Sequence, residues 1–542
     1  MKVVIVGGGS AGWMTACYLK NKINNINVTL VESPKVGIIG VGESVTVHLT
    51  RFLTELGINE HHMMQETGSV YKFGNNFVGW HTGENESELF PFRWNIKLDD
   101  IKKVLQASKN ENDDFVSLKK LHYYNLNSYF KAQHTTSRFT DYWLELYRQN
   151  KINNDFGCSF GGYDYFSKQQ KMPAQNDQML FKPAGLQHAY HVNAELFGEY
   201  LKNNVGLKSG VVHRVAHIES VVTKNNQIEK IIFDDATEMT ADLYIDCTGF
   251  NRILINQLEK DWKHYNLNPA DSAIVCQVNY DDPKTDLVNH TLSIAQDQGW
   301  VFDISLFHRK GTGYVYGKDL VNEELLMEEY SKNFLTNARM NPRKISWEKK
   351  RLQRAAEGNT VAIGMSNGFV EPMEANLFAI IINGIIHLTE EIKKYKGVVN
   401  NINWNQYNVK MSDTYDDIAD FILVHYTLSS RPGAFWDEMR SIGRAEKHDE
   451  LLIEKYKDAR NTFLGAGQGH SIFVDYMWLQ LAIGWNLPID NWPTKTFNQE
   501  DLDIVEDYIN TMENKTKLCV ENFPNNYEFL KQVVFDGRQI TY

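Results

Sequence analysis

Cysteine, proline and long apolar runs are all scarce in this chain of 542 residues. The five cysteines are scattered and include no Cys-x-x-Cys pair, which disfavours a disulfide framework or a zinc site and favours buried thiols. No Pro-rich linker, internal repeat or low-complexity tract stands out. No charge-free apolar stretch reaches the roughly 18 residues of a membrane span, and the N-terminus reads as a core strand rather than a signal peptide. We therefore expect a cytoplasmic protein without a membrane partner.

Positive charge is also in deficit. Lys and Arg number 56 against 68 Asp and Glu, a net charge of −12, and the basic blocks are as short as Lys349-Lys350-Arg351. Nucleic acid and anionic membranes are therefore disfavoured as partners. The chain is longer than one hydrophobic core normally fills, so we expect two intimately packed domains, or one core with large inserted or appended parts. A homo-oligomer is compatible with this composition.

The N-terminal segment carries the strongest motif. A buried-strand pattern at residues 3–6 runs into Gly7-Gly8-Gly9-Ser10-Ala11-Gly12-Trp13 and then into a helix-forming stretch. Gly7 allows a tight turn, Gly9 lets the backbone approach a pyrophosphate, and Gly12 permits close packing of helix on strand. The helix N-terminus would present N–H groups and a positive dipole end to the phosphates. The predicted cofactor contacts in this segment are Gly7, Gly9, Ser10, Ala11, Gly12 and Trp13.

Later segments favour FAD as the dinucleotide. A second strand ends in Glu32, about 20 residues past Gly12, where the fingerprint places a carboxylate for the ribose. A short apolar strand, 242–247, ends in a Thr248-Gly249 turn, as in flavoproteins that return to the flavin, although an ordinary core strand would look the same. The further predicted cofactor contacts are Gly42, Glu43, Asp246, Gly249 and Gly364.

These patterns predict an α/β fold. The expected architecture is an FAD-binding GxGxxG domain, Rossmann-like and of the glutathione-reductase and monooxygenase type, with a substrate region and a mainly helical C-terminal cap. We predict a core over residues 1–395, with inserted segments near 82–180 and 265–350, and a cap over 396–542. Within the core we expect a helix closed by Gly57, a helix capped by Asn193, and a hairpin turning at Asn225-Asn226.

Three further segments contain candidate chemistry. Lys72 is a single lysine in an apolar and aromatic run, 68–80, where burial would make its amine a nucleophile or hydrogen-bond donor; a snorkelling lysine at a strand edge is the commoner explanation. Glu371 and Glu374 flank a proline before an apolar helix, whose dipole they could simply complement. The third segment, 299–306, alternates aromatic and polar residues as a strand does, and core packing alone would explain it.

Together these segments resemble the flavin-dependent halogenases of the tryptophan-halogenase family over nearly the whole chain. The glycine motif is similar to the family's cofactor motif, and Gly42-Glu43-Ser44 to its second glycine turn. Lys72 stands where the family has its active-site lysine, and Glu374 matches the acid of its Glu-Pro-Leu-Glu-Ser segment. The strand with Trp300, Phe302 and Ile304 resembles its Trp-x-Trp-x-Ile-Pro signature. Further matches are Tyr190-His191, His425-Tyr426 and Phe435-Trp436.

The chain also departs from the family pattern. Phe302 replaces the second Trp of the signature and Ser305 its Pro. Ala375-Asn376-Leu377 replaces the family's Ser-Thr-Gly after the acid, so the residues that the resemblance assigns to the halide, Asn376 and Leu377, are different in kind. The family's tryptophan-binding lid does not align with the C-terminal region, which makes free tryptophan doubtful as the substrate.

The resemblance implies an enzyme that uses FAD in its reduced form, O2 and a halide ion. A separate flavin reductase would supply the reduced flavin. Hypohalous acid would be held by Lys72 beside an electron-rich aromatic substrate, such as an indole or phenol, while Glu374 assists the substitution. An FAD-dependent aromatic monooxygenase is the alternative, and it would oxidise NAD(P)H without a partner. A redox-silent binding protein would be indifferent to changes at Lys72 and Glu374.

Overall fold

The chain folds into two compact units, each assembled from three stretches of sequence. The computed structural model describes residues 1–35, 37, 40–83, 86–91, 98–116, 139–152, 163–175, 178–179, 188–266, 269–445, 450–451, 453–455, 473, 475–484 and 497–536. The first unit comprises Met1–Ser69, Val192–Leu267 and Ile345–Ile422. The second comprises Val70–His191, Asn268–Lys344 and Leu423–Tyr542.

The described residues form both strands and helices. The strands are β1 (Lys2–Val6), β2 (Asn27–Glu32), β3 (Glu43–Ser44), β4 (Val70–Lys72), β5 (Gly74–Val78), β6 (Ser87–Pro91), β7 (Ala174–Gln175), β8 (Gln178–Met179), β9 (Ala189–Val192), β10 (Val212–Val215), β11 (Ile218–Lys224), β12 (Gln227–Phe233), β13 (Glu238–Met239), β14 (Leu243–Asp246), β15 (Trp262–His264), β16 (Ser272–Val278), β17 (Thr291–Gln296), β18 (Gly299–Leu306), β19 (Arg309–Tyr316), β20 (Arg343–Ser346), β21 (Lys350–Leu352), β22 (Ala356–Glu357), β23 (Thr360–Ala362) and β24 (Gly368–Phe369). The helices are α1 (Ser10–Lys22), α2 (His48–Glu55), α3 (Glu60–Thr67), α4 (Leu98–Lys109), α5 (Phe139–Arg148), α6 (Tyr163–Lys168), α7 (Ala194–Leu201), α8 (Pro283–Asp286), α9 (Glu323–Phe334), α10 (Asn376–Lys394), α11 (Asn405–Leu428), α12 (Ala434–Ala445), α13 (Asp475–Gly484), α14 (Gln499–Val520) and α15 (Asn526–Phe529).

The first unit is built on a six-stranded sheet in the order β10-β2-β1-β14-β23-β22. Every neighbouring pair from β10 to β23 is parallel, and β22 pairs antiparallel at the edge. Parallel strands are covered on both faces, which explains the uninterrupted apolar run of β1, whose last four residues are buried. The sheet and its parallel order confirm the predicted α/β class.

The predicted helix cap, helix end and hairpin turn of this unit are confirmed. The Asn193 side chain caps α7 by accepting from the N–H groups of Glu195 and Leu196. Gly57 follows α2 with a φ of +66°. Asn225 and Asn226, at φ +50° and +56°, form the two-residue turn between β11 and β12. Positive φ at both central residues is the requirement of a type I′ hairpin, and asparagine tolerates it well.

Among the described residues, one helix is long and apolar enough to cross a membrane by length and composition, the segment Met373–Lys394 that contains α10. Two-thirds of its most apolar window is buried inside the protein. The helix packs against α1 and α2 within the first unit. Core packing therefore accounts for its apolar composition.

The second unit is built on six strands of a seven-stranded sheet, in the order β16-β19-β18-β17-β5-β6. Neighbouring strands are antiparallel except β17 and β5. Apolar and aromatic side chains of α9, among them Leu326 and Tyr330, pack on Val301 and Tyr314 of the sheet. A separate antiparallel ladder joins β4 to β9.

The division of the chain differs from the predicted core of residues 1–395. The first unit continues to Ile422, within α11, and the residues beyond join the second unit. The segments near 82–180 and 265–350, expected as insertions, supply most of the second unit. β5 pairs with β17 of the later inserted segment and with β6 of the earlier one, so strands of both inserted segments join one sheet with β5. A substrate-binding cap over 396–542 stays a prediction.

Candidate active site

A cavity of about 320 Å³ lies in the first unit at the carboxyl edge of the parallel sheet, where open α/β sheets bind their ligands. The ends of β1, β2 and β14 and the first turns of α1 and α10 meet there. The lining includes these predicted cofactor residues: Gly7, Gly9, Ser10, Ala11, Glu32, Glu43 and Gly249.

The three glycines of the first turn have separate structural reasons. A Cβ on Gly7, whose φ is +117°, would lie 2.3 Å from the carbonyl oxygen of Cys247. On Gly12 it would lie 1.9 Å from the carbonyl oxygen of Gly7, so this glycine permits the helix to close on the turn. At Gly9 no described atom lies within 4 Å of the Cβ position. That open space beside a helix N-terminus suits a pyrophosphate.

Glu32 is held at the pocket wall by two contacts. Its Oε2 lies 2.8 Å from Nε2 of His213 on β10. Its carboxyl group also covers Gly8, because a Cβ there would lie 2.3 Å from the Glu32 Cδ. The carboxylate therefore has a defined position at the pocket wall. Its contact with a ribose hydroxyl stays a prediction. Sequence reasoning missed His213, which stands 181 positions later in the chain.

Trp13 is not part of the pocket lining. Its side chain is buried in the core, with its ring edge-on to His213 at 5.3 Å between centroids. A Cβ on Gly206 would lie 2.8 Å from this indole, so the close packing of the two segments depends on that glycine. Trp13 thus stabilises the start of α1 rather than contacting a cofactor directly.

Asp246 has a different role from the predicted cofactor contact. The residue is fully buried and does not line the pocket. Its Oδ1 accepts hydrogen bonds from Thr248 N–H, Thr248 Oγ1 and Ser366 Oγ, and its Oδ2 accepts from the N–H groups of Leu254 and Ile255. Five donors satisfy a buried carboxylate, so Asp246 organises the turn that brings Thr248 and Gly249 to the pocket.

The remaining glycine turns frame the cavity. Gly42 has a φ of +133° and precedes Glu43, a residue of the pocket lining. Burial raises the pKa of Glu43 to about 7. Gly364 has a φ of +68° and packs against α10, with a Cβ position 3.1 Å from Ile381 Cγ1; its neighbours Ile363 and Met365 line the cavity instead.

The turn before α10 is strained. Glu374 and Ala375 adopt φ values of +61° and +57°, a left-handed conformation that is rare for residues with a Cβ. Such outliers concentrate at functional sites because surrounding structure must hold them. Glu374 is buried, and Ala375 precedes a helix that begins without a side-chain cap among the described residues. The first N–H groups of α10 are thus presented at the pocket edge.

Of the two residues expected at the halide, Leu377 lines the cavity and Asn376 does not. Phe378 lines the cavity as well. Asn376 is buried, and its Nδ2 donates to the Met373 carbonyl oxygen at 2.8 Å. The Asn376 side chain therefore braces the strained turn, and its backbone rather than its amide is the part available to an anion at the helix start.

Lys72 lies in the second unit, at the end of β4, and its side chain is fully buried. Complete burial contradicts the snorkelling explanation, which requires the ammonium to reach water. Lys72 pairs with Ala189 of β9. Its positive charge contributes to lowering the pKa values of His191 and His290, although burial is the larger cause for both.

The signature strand is β18, and its first aromatic residue is part of the core. Trp300 is buried, and its Nε1–H donates to the Tyr426 hydroxyl at 2.7 Å. Phe302 lies against Gly313 of β19, where a Cβ would approach its ring to 2.2 Å. Ile304 is buried as well. The signature therefore marks a packing motif in this structure.

Aromatic residues from distant parts of the chain pack together around β18. Trp80 lies 5.7 Å from Trp300, 5.0 Å from Trp436 and 5.5 Å from Tyr426, measured between ring centroids. Phe435, Trp436, Phe473 and Trp478 of the C-terminal region are all buried.

A parallel sheet, a glycine turn and a pocket at the carboxyl edge define the class of dinucleotide-binding proteins. A family model for tryptophan halogenases matches residues 2–496. The chain belongs to the tryptophan halogenase family.

Three relatives illustrate the match. The chain is 26% identical to tryptophan 7-halogenase RebH of Lentzea aerocolonigenes, with 98% of each chain covered. A tryptophan halogenase from Shewanella frigidimarina NCIMB 400 has a similar structure, with a TM-score of 0.80, 23% identity and coverage of 99% and 98%. Xcc4156, a flavin-dependent halogenase from Xanthomonas campestris, matches with a TM-score of 0.76 and 24% identity, and 98% of each chain is covered.

The predicted function is confirmed at the level of this family. The protein is a flavin-dependent halogenase that uses FAD, O2 and halide. Flavin-dependent halogenases usually need a separate reductase for their reduced flavin and act on small aromatic substrates.

Proposed function

We propose that this enzyme halogenates an electron-rich arene, such as an indole or a phenol, through hypohalous acid held by Lys72. The observation that carries the proposal is the complete burial of a lysine in an apolar and aromatic strand. An amine held there is screened from water. It can bind hypohalous acid by a hydrogen bond, or react with it to form a haloamine and water. Free hypohalous acid is indiscriminate, so fixed placement near the substrate is what confers selectivity.

The overall reaction balances in two steps. Bound reduced FAD supplies two electrons, so that FADH2, O2, halide and one proton give FAD, hypohalous acid and water. The arene then exchanges one ring proton for the halogen, and the oxygen of the hypohalous acid leaves as water. The residues of the cofactor pocket hold the dinucleotide, whereas Lys72 and Glu374 act in the second step.

Glu374 suits the role of a base or an electrostatic partner in aromatic substitution. It is buried in a backbone conformation that costs about 1–3 kcal/mol and therefore has a fixed position. A carboxylate placed in this way stabilises the cationic ring intermediate or accepts the ring proton. Lys72 and Glu374 are each proposed to act on the substrate, Lys72 through the hypohalous acid and Glu374 through the ring.

The substrate class is proposed to be broad. RebH is named a tryptophan 7-halogenase, and KtzR of Kutzneria sp. (strain 744) a 7-chloro-L-tryptophan 6-halogenase. Free tryptophan is therefore the competing substrate for this chain. A panel of indoles, phenols, anilides and free tryptophan separates the two ideas, since strict selectivity for tryptophan would contradict broad tolerance. A reductase partner and a cytoplasmic location complete the proposal.

The decisive experiment separates flavin oxidation from product formation. Lys72→Ala, and Lys72→Met as a variant of similar length, should bind FAD and oxidise reduced flavin while halogenated product is lost. Glu374→Gln should lower kcat more than it raises KM, as expected for a group that acts in the transition state. Product, consumed O2 and released hypohalous acid or peroxide are measured together. Full product formation in both Lys72 variants would refute the proposal.

A further inference from the structure

His191 stands beside Lys72 on the β4–β9 ladder. Val70 pairs with His191 and Lys72 with Ala189. Side chains of directly opposed residues emerge on the same face of a sheet, and residues two positions apart in a strand share that face. Lys72 and His191 are therefore diagonal neighbours on one face. The effect of the Lys72 charge on the His191 pKa is consistent with this short separation.

The fully buried His191 ring connects the ladder to two strands of the large sheet. Its Nδ1 lies 2.9 Å from the Ser305 carbonyl oxygen on β18, and its Nε2 lies 2.9 Å from Thr291 Oγ1 on β17. Burial, and secondarily the charge of Lys72, hold the pKa of His191 well below its usual range. The neutral ring then has one tautomer: Nδ1–H donates to Ser305, and Nε2 accepts from the Thr291 hydroxyl.

The segment before β17 is fixed to the same groups. The N–H of Phe73, directly after Lys72, donates to the Asn289 carbonyl oxygen at 2.8 Å. The N–H of Val288 donates to Ser305 Oγ at 3.2 Å. Ser305 thus contacts both His191 and the segment that holds Phe73. The family signature resembled by this strand has proline there, which lacks a hydroxyl, so the bond to Val288 depends on this chain's own residue.

We propose that His191, held by Thr291 and Ser305, is a positioning residue that sets the place of the Lys72 amine for halogen transfer. The inference rests on the proposed function of Lys72. His191 fixes β9, β9 is paired with β4, and Asn289 holds the residue after Lys72. Since a misplacement of about 1 Å can cost on the order of 10²-fold in rate, these bonds determine how much hypohalous acid reaches the substrate.

The test measures halogenated product per flavin oxidised in the full-length enzyme with FAD, a flavin reductase and bromide. His191→Phe keeps a ring but loses both hydrogen bonds. It should oxidise reduced flavin at the wild-type rate, while product per flavin falls at least tenfold and hypohalous acid or peroxide accumulates. His191→Asn keeps a donor near the Nδ1 position and should recover part of the product. A residue needed only for folding would lower flavin oxidation and product formation together.

Milder variants cover the case in which His191→Phe does not fold. Thr291→Val removes the hydroxyl that His191 Nε2 accepts from and little volume. Ser305→Ala is the matched control, because it keeps the carbonyl oxygen that His191 contacts and loses only the bond from Val288. Reduced product per flavin in Thr291→Val supports the proposal, and a wild-type value in Thr291→Val overturns it. A folded His191→Phe enzyme with wild-type product per flavin overturns it as well. Failure of the proposed function is a separate result, because Lys72→Ala would then retain product.

Discussion

Gly9 and Gly12 of the first turn allow two different tests of the cofactor pocket, one of FAD binding and one of fold stability. Gly9→Val places a side chain in open space where the pyrophosphate would lie, so it should abolish FAD binding while the free energy of unfolding changes by about 1 kcal/mol. Gly12→Ala brings a Cβ against the Gly7 carbonyl oxygen and should destabilise the fold itself. Flavin titration and thermal unfolding measure the two effects. Wild-type flavin affinity in Gly9→Val would contradict the assignment of the pocket.

Leu377 suggests a preference for bromide or iodide over chloride. Its position in the cavity lining adds apolar surface near the start of α10, where chloride would need hydrogen bonds to replace its strong hydration. Larger halides lose less hydration and are more easily oxidised. In a competition with equimolar halides, we expect brominated or iodinated product to dominate, and Asn376→Thr with Leu377→Gly to gain chlorination. Predominant chlorination by the unaltered enzyme would show that Leu377 does not shape the halide site.

At the scale of elements, the start of α10 stores measurable strain. Ala375→Gly should raise the free energy of unfolding by about 0.5–1 kcal/mol, because glycine adopts a φ of +57° without the Cβ penalty. Ala379→Gly is the matched control in the right-handed interior of the same helix, where the change should instead cost about 1 kcal/mol. Chemical denaturation of both variants compares them. Destabilisation of similar size in both would mean that Ala375 is unstrained.

Elements with local signals were predictable, and those that depend on distant partners were not. The glycine turn, the Asn193 cap and the Asn225-Asn226 hairpin depend on neighbours a few positions away, so their patterns are visible in sequence. The structural role of Asp246 depends in part on the hydroxyl of Ser366, 120 positions later in the chain. The left-handed turn at Glu374 contains no glycine that would have predicted it. His191 was recognised only within the Tyr190-His191 match to the family, with no sign of its two hydrogen-bond partners.

At the scale of the whole molecule, buried neutral histidines predict acid sensitivity. Burial, with positive charge from Lys168 and Lys72, lowers the pKa of His290 to about 4, and the unfolded chain titrates near 6.5. Between these values the unfolded state binds more protons, so stability is present above pH 6.5 and is lost as pH falls towards 4. His290 alone should cost on the order of 2 kcal/mol between pH 7 and 5.

Denaturant unfolding at the two pH values checks this expectation. His290→Gln removes the titrating group, so it should narrow the stability difference between pH 7 and pH 5 even if it lowers stability at both. His191 contributes in the same direction, because its pKa is also held below the usual range. An unchanged pH dependence in His290→Gln would contradict the buried neutral state.

Neighbouring strands of the first sheet are far apart in the sequence, which has a consequence for biosynthesis. Its central strands come from residues 2–6, 27–32, 243–246 and 360–362, so the parallel strands under the nucleotide pocket are complete only after residue 362 has been translated. At roughly 5–20 residues per second, β1 waits on the order of 10–50 seconds for β14, the later of its two neighbouring strands. Chains released early would expose the apolar β1 strand, which makes nascent chains of this enzyme natural clients for ribosome-associated chaperones.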